Sequence, residues 1–196
     1  INIELDAIAK TIFEYWFLQF DFPNDRGQPY KSSGGEMVYN KTIKREIPEG
    51  WDVLPLSKHL SCNNNKLSKK HSLSELLYLD TANLTKNTLG TLHQLVVGED
   101  KIPSRAKMIV SENDILYSTV RPNQLHYGLI RKTEKNMVAS TGFTVLSHKK
   151  NNLFNVLFYM HITSEAQTQR LIRISESSKS SYPSITPDDI LNIDIA

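Results

Sequence analysis

Four short segments of this 196-residue chain concentrate the side chains best suited to gripping a polar ligand: Pro103–Lys107 (PSRAK), Ser118–Asn123 (STVRPN), Ala139–Phe143 (ASTGF) and Ser177–Ser184 (SSKSSYPS). All are rich in Ser, Thr, Asn or Tyr, and three of the four also carry Arg or Lys. Hydroxyls, amides and guanidinium groups hydrogen-bond phosphate oxygens and base edges; phosphate contacts position a protein on a duplex and a few base contacts specify the sequence. Arg121 leads the candidates because it follows an apolar, strand-like run at a turn. Arg105, Lys107, Asn123, Ser140, Thr141, Lys179 and Tyr182 follow it. The same residue types also build ordinary turns, so composition leaves both readings open.

The net charge of +2 hides an uneven distribution. Residues 101–150 hold nine Lys and Arg against three Asp and Glu, while both flanks are slightly acidic. A basic stretch of this kind marks either a polyanion-binding surface or a solvated basic face.

Other chemistry is not encoded in any recognisable pattern. The sequence contains no H-E-x-x-H, C-x-x-C, G-x-S-x-G or G-x-G-x-x-G. Its six histidines (His59, His71, His93, His126, His148 and His161) include no i,i+4 pair, so no metal site and no cofactor are expected. His161 falls on an apolar helix face and reads as a satisfied core histidine. The single cysteine, Cys62, excludes an internal disulfide and fits a reducing compartment. Asp188 and Asp189 are adjacent on a helix and point apart. "KSSGG" (residues 31–35) lacks the order of a phosphate-binding loop.

The elements that must carry these residues are legible in outline. In residues 1–20, Ile1, Leu5, Ile8, Ile12, Tyr15 and Gln19 alternate spacings of four and three, which predicts a helix with a coiled-coil seam. Phe13, Trp16, Phe17 and Phe20 form a second stripe on it, expected to clamp the helix end onto the following domain. Pro23 ends the helix, and residues 24–50 form a polar connector. From Trp51 on, short β-branched and aromatic runs separated by polar breaks predict a mainly antiparallel β-domain. Leu153, Val156, Leu157, Met160, His161 and Leu171 predict one long helix packed on it. Thr186 is placed to cap a short helix that begins at Pro187, with a final strand after it. The fold class expected is therefore α+β: an N-terminal helix followed by a β-rich domain with one long packed helix.

Three stretches add a resemblance. "EYWFLQFDFPN", "GQPYKSSGGEMVYN" and "REIPEGWDVLPL" resemble the central conserved region of type I restriction–modification specificity subunits (HsdS). "IPSRAKMIVSENDILYSTVRPN", "STGFTVL" and "YPSITPDDILNIDI" are similar to segments of their target-recognition domains, in the right order. The resemblance implies a piece of a longer subunit: residues 1–20 the end of a spacer helix, 21–50 a junction, and 51–196 one target-recognition domain. It implies no catalytic activity, and partnership with double-stranded DNA and with methylation and restriction subunits; the lone cysteine and the lack of a long apolar run lead to the expectation of a cytoplasmic location away from membranes. Leu5, Ile8, Ile12 and Tyr15 would face a partner helix or a second copy. Alternatives are the same domain in a fused restriction–methylation enzyme, a hydrolase using Ser and His from separate loops, and a protein-interaction module with a basic patch.

Overall fold

The N-terminal helix ends where its aromatic residues turn inward. In the computed structural model, which describes residues 2–68, 71, 73–178 and 181–196, helix α1 (Asn2–Phe13) runs into a single π turn, Glu14–Leu18. There the Gln19 N–H donates to the Glu14 carbonyl at 2.9 Å. The helix stops at Phe20, whose φ of 64° is a left-handed conformation usually left to Gly or Asn. That bend swings Phe20 off the helix and buries it at 1% exposure. Its ring meets Trp51 edge-on at 5.6 Å, and the Arg45 guanidinium lies 4.6 Å over its centre. Arg45 also donates to the Leu18 carbonyl, an acceptor the helix end leaves without an internal partner. Phe22 stacks between Tyr30 (4.8 Å) and Trp51 (5.2 Å).

The expected aromatic stripe is thus corrected. Phe13 is buried and stacks on Phe17 at 5.3 Å, but Trp16 stays 37% exposed and Phe20 belongs to the bend. The "KSSGG" segment is a turn whose Ser32 donates through its N–H (2.7 Å) and hydroxyl (2.6 Å) to the Asp21 carboxylate. Residues 24–50 contain more structure than a polar connector: β1 (Met37–Asn40) and β2 (Arg45–Pro48) form an antiparallel hairpin with Val38 opposite Ile47. With the short antiparallel pair β3 (Leu54–Pro55) and β14 (Asp194–Ile195), these elements make up the first of two compact units, Ile1–Pro55 with Asp194–Ala196.

The second unit, Leu56–Ile193, is built on two four-stranded sheets. One holds, in spatial order, β11 (Tyr127–Leu129), β10 (Ile115–Ser118), β13 (Phe143–His148) and β4 (Leu60–Cys62), all antiparallel. The other holds β8 (His93–Val96), β5 (Glu75–Leu79), β12 (Met137–Ser140) and β9 (Ala106–Ile109), with one parallel pair, β5–β12, in an otherwise antiparallel set. Leu79, Met108, Met137 and Ala139 from the second sheet share a buried core with Leu116, Phe143 and Val145 from the first. A small hairpin, β6 (Leu84–Thr85) and β7 (Thr88–Leu89), sends Leu84 into the same core.

The expected long helix is two, α2 (Asn155–Ile162) and α3 (Glu165–Glu176), and Leu153, read as part of its packed stripe, lies before α2 and is exposed. The break falls at Ser164, which takes an extended backbone, while the Thr163 N–H (3.0 Å) and hydroxyl (2.7 Å) both donate to the Tyr159 carbonyl. His161 is buried as expected. The C-terminal helix α4 (Pro187–Leu191) starts with a capping box in which the Thr186 and Asp189 side chains satisfy each other's backbone N–H groups. That box explains Asp189 without a catalytic role. The fold is α+β, and no helix among the described residues is long and apolar enough to cross a membrane.

Candidate nucleic-acid interface

Strands β10 and β13 run antiparallel, so the end of β10 at Ser118 lies beside the start of β13 at Phe143. The loops leaving that end are stitched together through their backbones. Thr119 donates to the Gly142 carbonyl twice, from its N–H at 2.9 Å and its hydroxyl at 3.1 Å. The Thr141 N–H donates to the Arg105 carbonyl at 2.8 Å, and the Arg121 N–H to the Pro183 carbonyl at 2.9 Å. The Ile185 N–H donates back to Thr119 at 2.9 Å. Segments that the sequence offers only as separate candidates, 103–107, 118–123, 139–143 and 181–184, are thereby brought to one rim.

Arg121 stands at the centre of that rim. Its φ of 49° is left-handed, and it enters a short 3-10 turn, Pro122–Gln124, closed by Leu125 at φ 58°. Such conformations cost about 1–3 kcal/mol for side-chain-bearing residues and persist only where neighbours over-determine them. Here the neighbours are the Pro183 carbonyl and Ser118, whose buried hydroxyl donates to the Val120 carbonyl (2.9 Å) and accepts from the Val120 N–H (3.2 Å). Arg121, Asn123, Arg105, Thr141 and Tyr182 are all exposed around this point, and Lys107 is exposed on β9 two residues beyond Arg105.

Ser140 is a correction. It is 0% exposed, and its hydroxyl accepts from the Gly142 N–H at 3.2 Å, so it shapes the loop from inside and is occluded from any ligand. β12 is buried along its whole length, and Ser140 closes it beside a register shift in the β9–β12 pairing. Gly142 has a reason of its own: a Cβ there would approach Thr81 Cγ2 to 2.8 Å. Lys179 lies outside the described residues.

One cation on this rim escapes a reading by residue type. Lys86 sits at the tip of the β6–β7 hairpin, where Lys86 (φ 45°) and Asn87 (φ 64°) are both left-handed. Its N–H donates to the Leu125 carbonyl at 3.0 Å, and the Asn87 side chain accepts from Leu129 at 2.8 Å, which ties this hairpin to the Arg121 loop. The "LTKNTL" signal was available, an Asn at a two-residue turn between alternating apolar residues. The ion pairs among the described residues, Lys10–Glu14 and Lys31–Glu46, lie in the first unit; Lys86, Arg105, Lys107 and Arg121 are exposed and, among the described residues, have no carboxylate partner.

Other chemistry finds little footing. Ser68 Oγ lies 3.0 Å from His71 Nδ1, but the same ring nitrogen is also within 3.1 Å of the Ser68 N–H, the pattern of a local turn three residues long. No carboxylate among the described residues stands behind His71 to orient it as a general base. Among the described residues no cluster of three or more His, Cys, Asp or Glu could hold a metal ion. Burial raises the Cys62 thiol pKa, which leaves it the less reactive form. On the first unit, Leu5, Ile8, Ile12 and Tyr15 lie exposed along one side of α1 and the π turn.

Fold and rim together define an α+β module that presents polar and cationic loops from one rim. The chain is homologous to the specificity subunits of type I restriction enzymes. It is 24% identical over 136 residues to the HindI specificity subunit of Haemophilus influenzae, covering 69% of this chain and 29% of the relative. It is 38% identical over 52 residues to the MjaIX specificity subunit of Methanocaldococcus jannaschii, covering 26% of this chain and 10% of the relative. The fold matches the HsdS subunit of Thermoanaerobacter tengcongensis (TM-score 0.60, 20% identity, 76% of this chain and 38% of that one). A chain from a structure describing complex assembly and conformational transition of the type I restriction–modification system matches likewise (TM-score 0.58, 20% identity, 76% and 39%). The chain therefore spans less than a third of the curated relatives it matches. No family model matches the sequence.

Proposed function

We propose that this chain recognises one half-site of a bipartite double-stranded DNA sequence within a type I specificity subunit. In this reading residues 51–196 are a target-recognition domain, residues 1–20 are the end of the spacer helix that sets the distance to the second half-site, and residues 21–50 join them. The chain performs no bond chemistry; methylation and restriction belong to partner subunits in the cytoplasm. The observation that carries the reading is the hydrogen-bonded convergence of the 103–107, 118–123, 139–143 and 181–184 loops, with Arg121 held in a fixed left-handed turn at their centre.

The division of labour follows from residue type. Arg121 and Asn123 are the base readers: an arginine fork matches the O6 and N7 acceptors of guanine, and an asparagine amide matches N6 and N7 of adenine. Arg105, Lys107 and Lys86 supply phosphate contacts that hold the register, with Thr141 and Tyr182 adding hydroxyls. Leu5, Ile8, Ile12 and Tyr15 pack against the second helix of the spacer, or against a second copy where that helix is lacking. The test is selection of a random duplex library by the full specificity subunit assembled with its methylation subunit. Enrichment of a bipartite motif, relaxed at one position by Arg121→Ala, is the expected outcome. Enrichment unchanged by Arg121→Ala overturns the assignment of that residue.

A further inference from the structure

At the other end of β13 from Gly142, the second unit displays an apolar pair on a rigid turn. Leu153 and Phe154 are 66% and 51% exposed, the two most exposed of its large apolar side chains among the described residues. Their turn is fixed by side-chain hydrogen bonds. His148 Nδ1 accepts from the Lys150 N–H (3.1 Å) and the Asn151 N–H (2.9 Å), and the Asn151 side chain accepts from the Leu153 N–H (2.9 Å). Asn152 accepts from the His148 N–H (2.9 Å) and donates to the buried Asp114 (3.1 Å). His148 meets the Phe154 ring edge-on at 5.3 Å and stacks on Phe158 at 5.5 Å, with His59 stacked on Phe158 at 5.3 Å.

The exposed charge around the pair is mainly cationic. Lys58 and Lys150 are exposed and free of ion pairs among the described residues, while the Lys149 ammonium is spent on the Ser57 carbonyl at 2.6 Å. Two carboxylate residues are joined to the turn through Asn152: Asp114, which is buried, and Glu112, whose backbone carbonyl accepts at 3.2 Å. An apolar anchor with a cationic border is complementary to an acidic protein segment bearing its own apolar side chain. The length of β13, six residues or on the order of 20 Å, keeps this patch clear of the Arg121 rim.

We infer that the Leu153–Phe154 turn, bordered by Lys58 and Lys150, is a docking surface for an acidic, apolar-anchored segment of a partner protein. The inference stands independently of the DNA reading. The test uses the full specificity subunit and three fluorescent 18-residue helical peptides. The first carries glutamates on one face and Leu and Phe at i and i+4 on the other; its controls replace glutamate by glutamine, or Leu and Phe by alanine. Anisotropy is expected to show binding of the first peptide only. Affinity should fall at least about tenfold in Leu153→Ser/Phe154→Ser and in Lys58→Glu/Lys150→Glu, with duplex DNA affinity and melting temperature unchanged. Equal binding of the control peptides, binding of none, or a loss of duplex affinity in these variants overturns the proposal, the last by making the patch a nucleic-acid surface.

Discussion

The Arg121 N–H donates to the Pro183 carbonyl at 2.9 Å, so the loop after β10 and the segment leading into α4 hold each other in place. Arg121 therefore leaves the rim from a backbone that is strained and pinned at once. A side chain launched from a fixed backbone loses less freedom when it binds, which is what specific contact requires.

Arg121→Ala and Arg121→Gly together separate contact from strain. Both should relax sequence preference at one position, with a discrimination loss of about 1–3 kcal/mol. Their stabilities should differ. Glycine relieves the left-handed backbone, a gain of about 1–2 kcal/mol, against an added unfolded-state entropy of about 0.4–1 kcal/mol. Thermal denaturation should thus place Arg121→Gly at or above Arg121→Ala. A glycine variant clearly less stable than the alanine variant would show that the turn is not strained.

Arg105→Ala and Lys86→Ala should weaken all duplex sequences alike. Each should lower the slope of log affinity against log salt by about one, as expected for loss of a single phosphate contact. Titrations at several salt concentrations with a cognate and a scrambled duplex make the check. A change confined to the cognate duplex would move either residue into the base-reading group.

How much of this was legible beforehand differs residue by residue. The chemistry of the rim is local, so Arg121, Arg105 and Thr141 declare themselves by type and by proximity to turns. Their meeting is not local: 119 with 142, 105 with 141 and 121 with 183 are backbone contacts that no spacing encodes. Ser140 misleads because β12 is buried along its whole length, which a Ser beside a loop does not declare. Phe20 misleads because helical periodicity continues through it, whereas its backbone has already reversed at φ 64°. The helix break at Thr163–Ser164 rests on the extended backbone of Ser164, a choice apolar spacing does not record. Lys86 lay in a hairpin signal weaker than the four polar clusters, and only its bond to Leu125 places it on the rim.

The aromatic clasp gives a contrast between neighbours. Phe20→Ala removes a ring buried at 1% exposure and packed against Trp51 and Arg45, and should cost about 3–5 kcal/mol. Trp16→Ala, at 37% exposure, should cost far less, on the order of 1 kcal/mol or under. Denaturation followed by the fluorescence of Trp51 reads the first unit directly. Equal costs for the two substitutions would contradict the bend at Phe20 as the site of packing.

Two buried aspartates should bend the stability–pH curve in opposite directions. Hydrogen bonds from Ser32 lead the causes that hold the Asp21 carboxyl below its ordinary value, so the unfolded chain binds its proton more readily. Stability from Asp21 is then present above the ordinary carboxylate pKa, near 3.9, and is lost as pH falls toward and through the lower folded value. Burial raises the Asp114 carboxyl, outweighing the hydrogen bonds it accepts from Ser147, Ser111 and Asn152. Here the folded chain holds the proton more tightly, so stability declines as pH rises from near 3.9 through the raised folded value. Asp21→Asn should therefore flatten the acid side of the curve, with little change in slope above it. Asp114→Asn should remove a decline on the other side of that point. Urea denaturation of both variants at half-unit pH intervals measures the two slopes, and slopes of the same sign would refute the pairing of lowered Asp21 with raised Asp114.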